Sequence, residues 1–339
     1  MWACQSMASN AHQVSLVCTK GSSAAAEKGG WLVPSNLEII ESIEPWWEGK
    51  AAEEAHYRSY KDTLEKEFGD GDGIVWDNTW HCFSYLSAIK FPKMKILHTH
   101  HGVVEWQRIP PNQIQLPRYL GLSRLHAEYL SSLLKTPVRY VHPGIPLPPK
   151  EETRSDKSEN YLLSLNRIIP EKGIEDSIDI AIRTKTPIKI AGDDVHLLDH
   201  SYVRMIKERC QNTGGLAEYI GLVNNETKKV LIKNCKAVIS CPKPSWIEAF
   251  GLYAIEANAY GKPVLALANG GLSDIIVNQT NGFLVNTPEE LDVYVNRIPE
   301  CSAESCRKRA ENFFSAERMS KNYLGIFARV VEDDPLFRW

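Results

Sequence analysis

Residues 245–263 read SWIEAFGLYAIEANAYGKP and set two carboxylates, Glu248 and Glu256, around a Phe-Gly pair. A helix is expected to start near Leu252, and its free backbone N–H groups, with the partial positive charge there, favour an anion such as phosphate. Gly251 permits close approach to the backbone. A carboxylate accepts hydrogen bonds from sugar hydroxyls, and an acid one turn into a helix can hold a ribose, as acids do in dinucleotide folds. The same residues also fit a capped helix carrying one solvated acid, and the short stretch leaves both accounts open.

A second stretch, LLSLNRIIPEKG at 162–173, places Arg167 and Lys172 on one loop after an apolar run. Two cations on a loop at the carboxyl end of a strand suit a diphosphate. A solvated loop is the plainer account of either cation alone. HTHHG at 98–102 invites a metal, since His98 and His100 share a strand face beside His101. No companion Cys, His or Asp cluster is spaced to complete such a site, so no metal is expected.

These side chains need a scaffold. Apolar runs at Tyr161–Leu165, Ile188–Ala191, Glu218–Ile220, Ala237–Ser240, Val264–Leu267 and Gly282–Val285 read as strands. Amphipathic stretches at Gly173–Arg183, Tyr202–Cys210 and Glu226–Asn234 lie between some of them. Strand–helix alternation predicts an α/β domain with a parallel sheet covered on both faces, which binds ligands at the carboxyl ends of its strands. Ahead of it, 12–21, 72–80 and 94–102 read as strand and loop, 116–134 as helix-rich, and 139–149 as a strand running into a proline-rich connector. The run 146–160 reads as a linker. The expected division is residues 1–148, with a returning helix at about 322–339, and residues 149–321.

Composition bounds the function. The 339 residues exceed one ordinary core, and 43% apolar with 24% charged residues describes a globular protein. A net charge of −3 argues against a nucleic-acid binder. No transmembrane run or signal peptide is expected, and the eight dispersed cysteines suit reduced thiols in the cytoplasm.

With these motifs in order, the chain resembles the retaining GT-B glycosyltransferases of the family-four group. NRIIPEKG corresponds to that group's G-R-x-x-x-x-K-G, and EAFGLYAIEA to its E-x-F-G-x-x-x-x-E-A. GKPVLALANGGLSDIIVNQTNGFLV at 261–285 and FFSAERMSKNYLGIF at 313–327 match its next stretch and closing helix. Thr99, His100, His101 and Gly102 match its T-x-H-G. The resemblance implies two Rossmann-like domains facing a cleft. It also implies transfer of a hexose from a nucleoside diphosphate, UDP before GDP, with retention and without a metal or other cofactor. It assigns Arg167 and Lys172 to the leaving diphosphate, and Glu248 and His101 to the transferred sugar. The backbone N–H groups of Phe250, Gly251 and Leu252 flank that sugar, Glu256 holds the ribose, and Gly221, Leu222 and Val223 lie along the base. In the favoured mechanism of the group the departing phosphate takes the acceptor's proton, so positioning and electrostatics dominate.

Two departures stand out. Asn166 occupies the place of the group's glycine before the arginine, and the first strand and glycine loop of the first domain are expected to be absent. Acceptor candidates are Asn78, Trp80 and Arg108, with Trp46 and Trp47 as stacking surfaces for a saccharide, lipid-linked or small-molecule acceptor. Peripheral membrane contact follows only for a lipid acceptor. A nucleotide-sugar epimerase and a non-catalytic nucleotide-sugar-binding protein use the same helix start, but the E-x-F-G motif and the R…K-G spacing favour transfer.

Overall fold

The computed structural model describes residues 4, 7, 14–18, 34–41, 49–71, 73–102, 118–153, 159–195 and 199–332. The chain forms two units, Met1–Pro143 with Ala316–Trp339, and Gly144–Ser315.

The first unit carries β1 (Val14–Cys18), β2 (Leu37–Glu41), β3 (Ile74–Asp77), β4 (Lys95–Thr99), β5 (Arg118–Gly121) and β6 (Arg139–Tyr140). Its first helices are α1 (Gly49–Phe68), α2 (Tyr85–Lys90) and α3 (Arg124–Leu134). β1 pairs with β2, and β3 to β6 form a parallel sheet in chain order. The stretch 116–134 is not helical throughout: its start is β5, and α3 begins only after Ser123, whose side chain accepts from the His126 N–H. Tyr119 and Leu120 are buried in the sheet, and this tertiary burial overrides their local tendency.

The second unit carries β7 (Leu162–Leu165), β8 (Ile188–Ala191), β9 (Ala217–Gly221), β10 (Ala237–Ser240), β11 (Val264–Leu267) and β12 (Gly282–Val285). Its helices are α4 (Ile174–Thr184), α5 (Ser201–Gln211), α6 (Asn225–Asn234), α7 (Leu252–Ala259), α8 (Leu272–Ile275), α9 (Pro288–Val295) and α10 (Ala303–Phe313). All six strands read from the apolar runs are present, with ends within one residue of the expected ones. They form one parallel sheet in the order β12-β11-β10-β7-β8-β9. β7, β10 and β11 are buried at every position, as a sheet covered on both faces demands. One face packs Leu162, Ile178, Ile190, Ile206, Ile239 and Phe283 into a single core.

Strand order reverses between β7 and β10, which lie side by side. Loops leaving neighbouring strands at such a point diverge to opposite sides and leave a crevice at the carboxyl edge. Part of the proline-rich connector is held on this unit, because Arg307 donates to the Pro148 carbonyl at 2.9 Å. The last helix, α11 (Ala316–Val331), belongs to the first unit. There the Tyr323 ring lies 4.2 Å from the Trp76 ring, and its hydroxyl is 3.2 Å from Thr99 Oγ1.

Candidate active site

The loops after β7 and β10 meet at the reversal of the second unit. Lys172 ends a short 3₁₀ turn, and Gly173 follows in the left-handed region at φ 55°. A Cβ on Gly173 would stand 2.0 Å from the Cys241 carbonyl, so only glycine lets the two loops approach. The Lys243 N–H donates to Glu171 O at 2.9 Å and ties them backbone to backbone. Lys172 Nζ then reaches Glu248 Oε2 at 2.5 Å, with both side chains about nine-tenths buried. The same ammonium lies 5.9 Å from the centre of the Trp246 ring.

Glu248 is not the cap of α7. The N-cap is Gly251, at φ 101°, and no side chain caps the helix. No acid stands in its first turn, so no first-turn carboxylate offsets its positive end. Phe250, Gly251 and Leu252 run into that end in the order the motif predicts. The Glu248 backbone is clamped from both sides. Its N–H donates to Asn269 Oδ1 at 2.8 Å, and its carbonyl accepts from the Gly271 N–H at 2.8 Å. Asn269 also donates to the Trp246 carbonyl at 2.8 Å. A Cβ on Gly270, at φ 51°, would stand 2.0 Å from the Glu248 carbonyl. The Gly-Gly loop is therefore the bed on which the Glu-Ala-Phe-Gly turn lies.

Around this centre the expected ligands differ in state. Arg167 is exposed and ion-pairs with no described residue. Glu256 is paired: its Oε1 lies 2.7 Å from Lys228 Nζ, which comes from the first turn of α6. Gly221, at φ 77°, opens the Gly221–Leu222–Val223 turn. The Leu222 N–H donates to Asp194 Oδ1 at 3.2 Å, and Asp194 Oδ2 accepts from the Tyr219 hydroxyl at 2.6 Å. One carboxylate thus fixes the turn while the Leu222 side chain stays exposed.

In the first unit, His101 Nε2 lies 3.0 Å from Asn78 Oδ1. His101 keeps an exposed edge, yet the protein packed about the ring lowers its pKa, as do His98 and His126. That direction leaves a neutral imidazole at pH 7. Trp80 is exposed beside Asn78, and its backbone N–H donates to Glu53 Oε1 at 3.0 Å. Glu53 also meets His81 Nδ1 at 2.6 Å, so a buried acid from α1 holds the loop that displays Asn78 and Trp80. The carbonyl of Gly102 accepts from His126 Nε2 at 3.1 Å, which anchors the chain just after His101. Arg108, Trp46 and Trp47 lie outside the described residues.

The histidines do not form the cluster their spacing suggested. His98 and His100 lie ring to ring at 5.8 Å, while His98 Nδ1 is 3.4 Å from Asp77 Oδ1. Asp77, Cys82 and His98 bring one potential metal-ligand atom each within 4.8 Å of one another. The Asp77 oxygens already accept from the Thr79 N–H, the Thr79 hydroxyl and the Ser84 hydroxyl at 2.8, 2.8 and 2.5 Å. Burial opposes ionisation of Asp77, but His98, Ser84 and Thr79 outweigh it and hold the carboxyl below its usual range. This carboxylate–thiol–imidazole group is a companion set that the sequence did not reveal, because its members come together only through the pairing of β3 with β4 and the loop after β3.

Asn269, Lys228, Lys243, Asp194, Glu53 and His126 carried no local signal of a role. Only Asn269, directly before Gly270-Gly271, stood beside a recognised motif.

Residues 149–315 match the family described as Glycosyl transferases group 1. A D-inositol 3-phosphate glycosyltransferase of Nocardioides is 27% identical over 225 residues, covering 60% of this chain and 45% of that protein. The chain spans about half the length of several curated relatives it matches. Sucrose-phosphate synthase from Thermosynechococcus elongatus superposes with a TM-score of 0.72 at 18% identity, over 98% of this chain and 92% of that one. A protein from Anabaena, solved in complex with UDP and glucose, gives 0.68 at 14% identity, over 93% and 99%. At these identities the structures speak for the fold, which is GT-B.

Proposed function

Because residues 149–315 match the Glycosyl transferases group 1 family in a chain of GT-B fold, we propose that the protein is a retaining hexosyltransferase using a nucleoside diphosphate sugar. One observation carries this reading. The sheet reversal brings Lys172, Glu248 and the uncapped start of α7 together from loops far apart in sequence. A cation for a leaving phosphate, a carboxylate for sugar hydroxyls and a positive helix end are the groups such a transfer needs.

In this reading Arg167 and Lys172 neutralise the diphosphate as the glycosidic bond breaks. Glu248 and a neutral His101 orient the transferred ring through its hydroxyls. The leaving phosphate oxygen takes the acceptor's proton on the face it departs from, so configuration is retained. Glu256 accepts from the ribose, and the Gly221–Leu222–Val223 turn meets the base. UDP is the nucleotide expected first, since the Anabaena protein with this fold binds it, and GDP is second. Positive charge at the diphosphate comes from side chains and the helix end, so the reaction is proposed to need no metal. Asn78 and Trp80 face a saccharide, lipid-linked or small-molecule acceptor. Among the described residues no helix is long and apolar enough to cross a membrane. The proposed place of action is the cytoplasm, with any lipid acceptor reached from the membrane surface.

Incubation with a panel of UDP- and GDP-sugars tests the reading. Slow release of free nucleotide, lost in Glu248→Ala and Lys172→Ala, is expected, with the anomer of the transferred product read by NMR. Epimerised donor, or binding with no turnover across varied acceptors, would refute it.

A further inference from the structure

Asn166 is the residue the donor reading leaves unexplained. It follows β7 directly and stands immediately before Arg167. Its side chain is buried, with 6% of the residue exposed. Neither Oδ1 nor Nδ2 has a hydrogen-bond partner among the described residues. A buried carboxamide with no partner carries an uncompensated desolvation cost, and an apolar residue of the same shape would avoid it. Such a group calls for a specific cause.

The backbone around it leaves little freedom. The Asn166 N–H donates to the Ala191 carbonyl at 3.2 Å, and a Cβ on Gly192 would stand 1.6 Å from the Asn166 carbonyl. Asn166 is therefore locked at the carboxyl edge of β7, at the strand-order reversal, in the same loop as Arg167 and Lys172. Two cations and an amide donor on one loop form a consistent set for an anion. A carboxamide can donate to a phosphate oxygen without adding charge.

We infer that Asn166 is a ligand of the donor, its Nδ2 donating to an oxygen of the diphosphate. The inference rests on the nucleotide-sugar reading above and adds a contact that neither the motif nor the relatives assign.

The test compares wild type with Asn166→Leu and Asn166→Asp. UDP affinity is measured by calorimetry, or GDP affinity where that is the nucleotide bound, and thermal unfolding is followed without ligand. Asn166→Leu is expected to unfold at the wild-type temperature or above it, because the unpartnered amide is gone, and to bind UDP about tenfold more weakly. Asn166→Asp keeps the shape and is expected to bind more weakly still, through repulsion of the diphosphate. It also serves if the leucine variant fails to fold. Inhibition by uridine, which has no phosphate, should be the same in all three proteins. Unchanged UDP affinity in the variants overturns the inference, as does an equal loss for UDP and uridine. A wild-type protein that binds neither UDP nor GDP overturns the donor reading itself, and the inference with it.

Discussion

The ammonium of Lys172 lies 2.5 Å from a carboxylate oxygen of Glu248, across 76 residues of sequence. Both side chains are mostly buried, so each is compensated chiefly by the other. The proposed reaction needs these two groups apart, which makes the pair the resting state expected of that reaction. Under the proposed function, an entering donor is expected to exchange the Lys172–carboxylate contact for a Lys172–phosphate contact and to release Glu248 to the sugar hydroxyls.

Separating charge balance from function gives the first prediction. Glu248→Ala leaves the Lys172 charge buried and is expected to lower stability by about 1–3 kcal/mol. The double variant Lys172→Met with Glu248→Leu should recover most of that loss. Both should lose at least about a hundredfold in kcat/KM. Urea unfolding and steady-state kinetics on the three proteins check this, and an active double variant would contradict the roles assigned.

Lys228 and Glu256 give the second. Their contact at 2.7 Å spans two helices and leaves one carboxylate oxygen for hydroxyls. Lys228→Met is expected to weaken UDP binding several-fold, about 1 kcal/mol, with kcat little changed. The loss should be smaller for a deoxyribose nucleotide, and Lys228→Arg should recover part of it. The combined Lys228→Met and Glu256→Gln variant should bind no worse than Glu256→Gln alone. Calorimetric titration decides it, and independent, additive losses would count against a joint role.

Gly270 and Gly325 form a contrasting pair. A Cβ at Gly270 would overlap the Glu248 carbonyl at 2.0 Å, in a backbone region at φ 51° that disfavours side chains. Gly270→Ala should displace the Glu248 turn, cost more than about 2 kcal/mol and remove activity. A Cβ at Gly325, within α11, meets nothing within 4 Å. Gly325→Ala should stabilise by about 0.5–1 kcal/mol with activity unchanged. Thermal melts and initial rates read both.

His126 predicts acid sensitivity. Its Nδ1 accepts from the Leu122 N–H at 3.1 Å, and its Nε2 donates to the Gly102 carbonyl at 3.1 Å, which defines a neutral ring. Burial is the main cause that pushes its pKa from 6.5 down to about 4, against the Gly102 hydrogen bond. The unfolded chain therefore takes up the proton first as pH falls. The stabilising contribution is whole above the unfolded value of 6.5 and is lost as pH falls toward 4. It amounts to about 3 kcal/mol. Unfolding free energies at pH 7.5, 6 and 5 should fall steadily in wild type. His126→Gln should be less stable at pH 7.5 and show a shallower slope, and an unchanged slope would remove His126 as the cause.

Much of the second unit was legible in the chain. Strand ends such as Ile188–Ala191 and Val264–Leu267 were readable because apolar runs bounded by turn residues are a local property. The first unit was less so. Arg118–Gly121 was hidden in a helical-looking stretch, because its burial between β4 and β6 depends on partners elsewhere in the chain.

By itself the sequence determined the parallel βαβ alternation, the order of the motifs and the residue types at the expected site, all encoded within spans of about a dozen residues. Only the tertiary structure decided which of these residues meet. The reversal of strand order between β7 and β10 brings Lys172 to Glu248. The packing of neighbouring helices brings Lys228 to Glu256, and the Gly-Gly loop seats the Glu248 backbone. It also decided that Asn166 is buried without a hydrogen-bond partner among the described residues. Spacing along a chain cannot report such facts, because hydrogen bonding and burial depend on what the rest of the fold sets against each side chain.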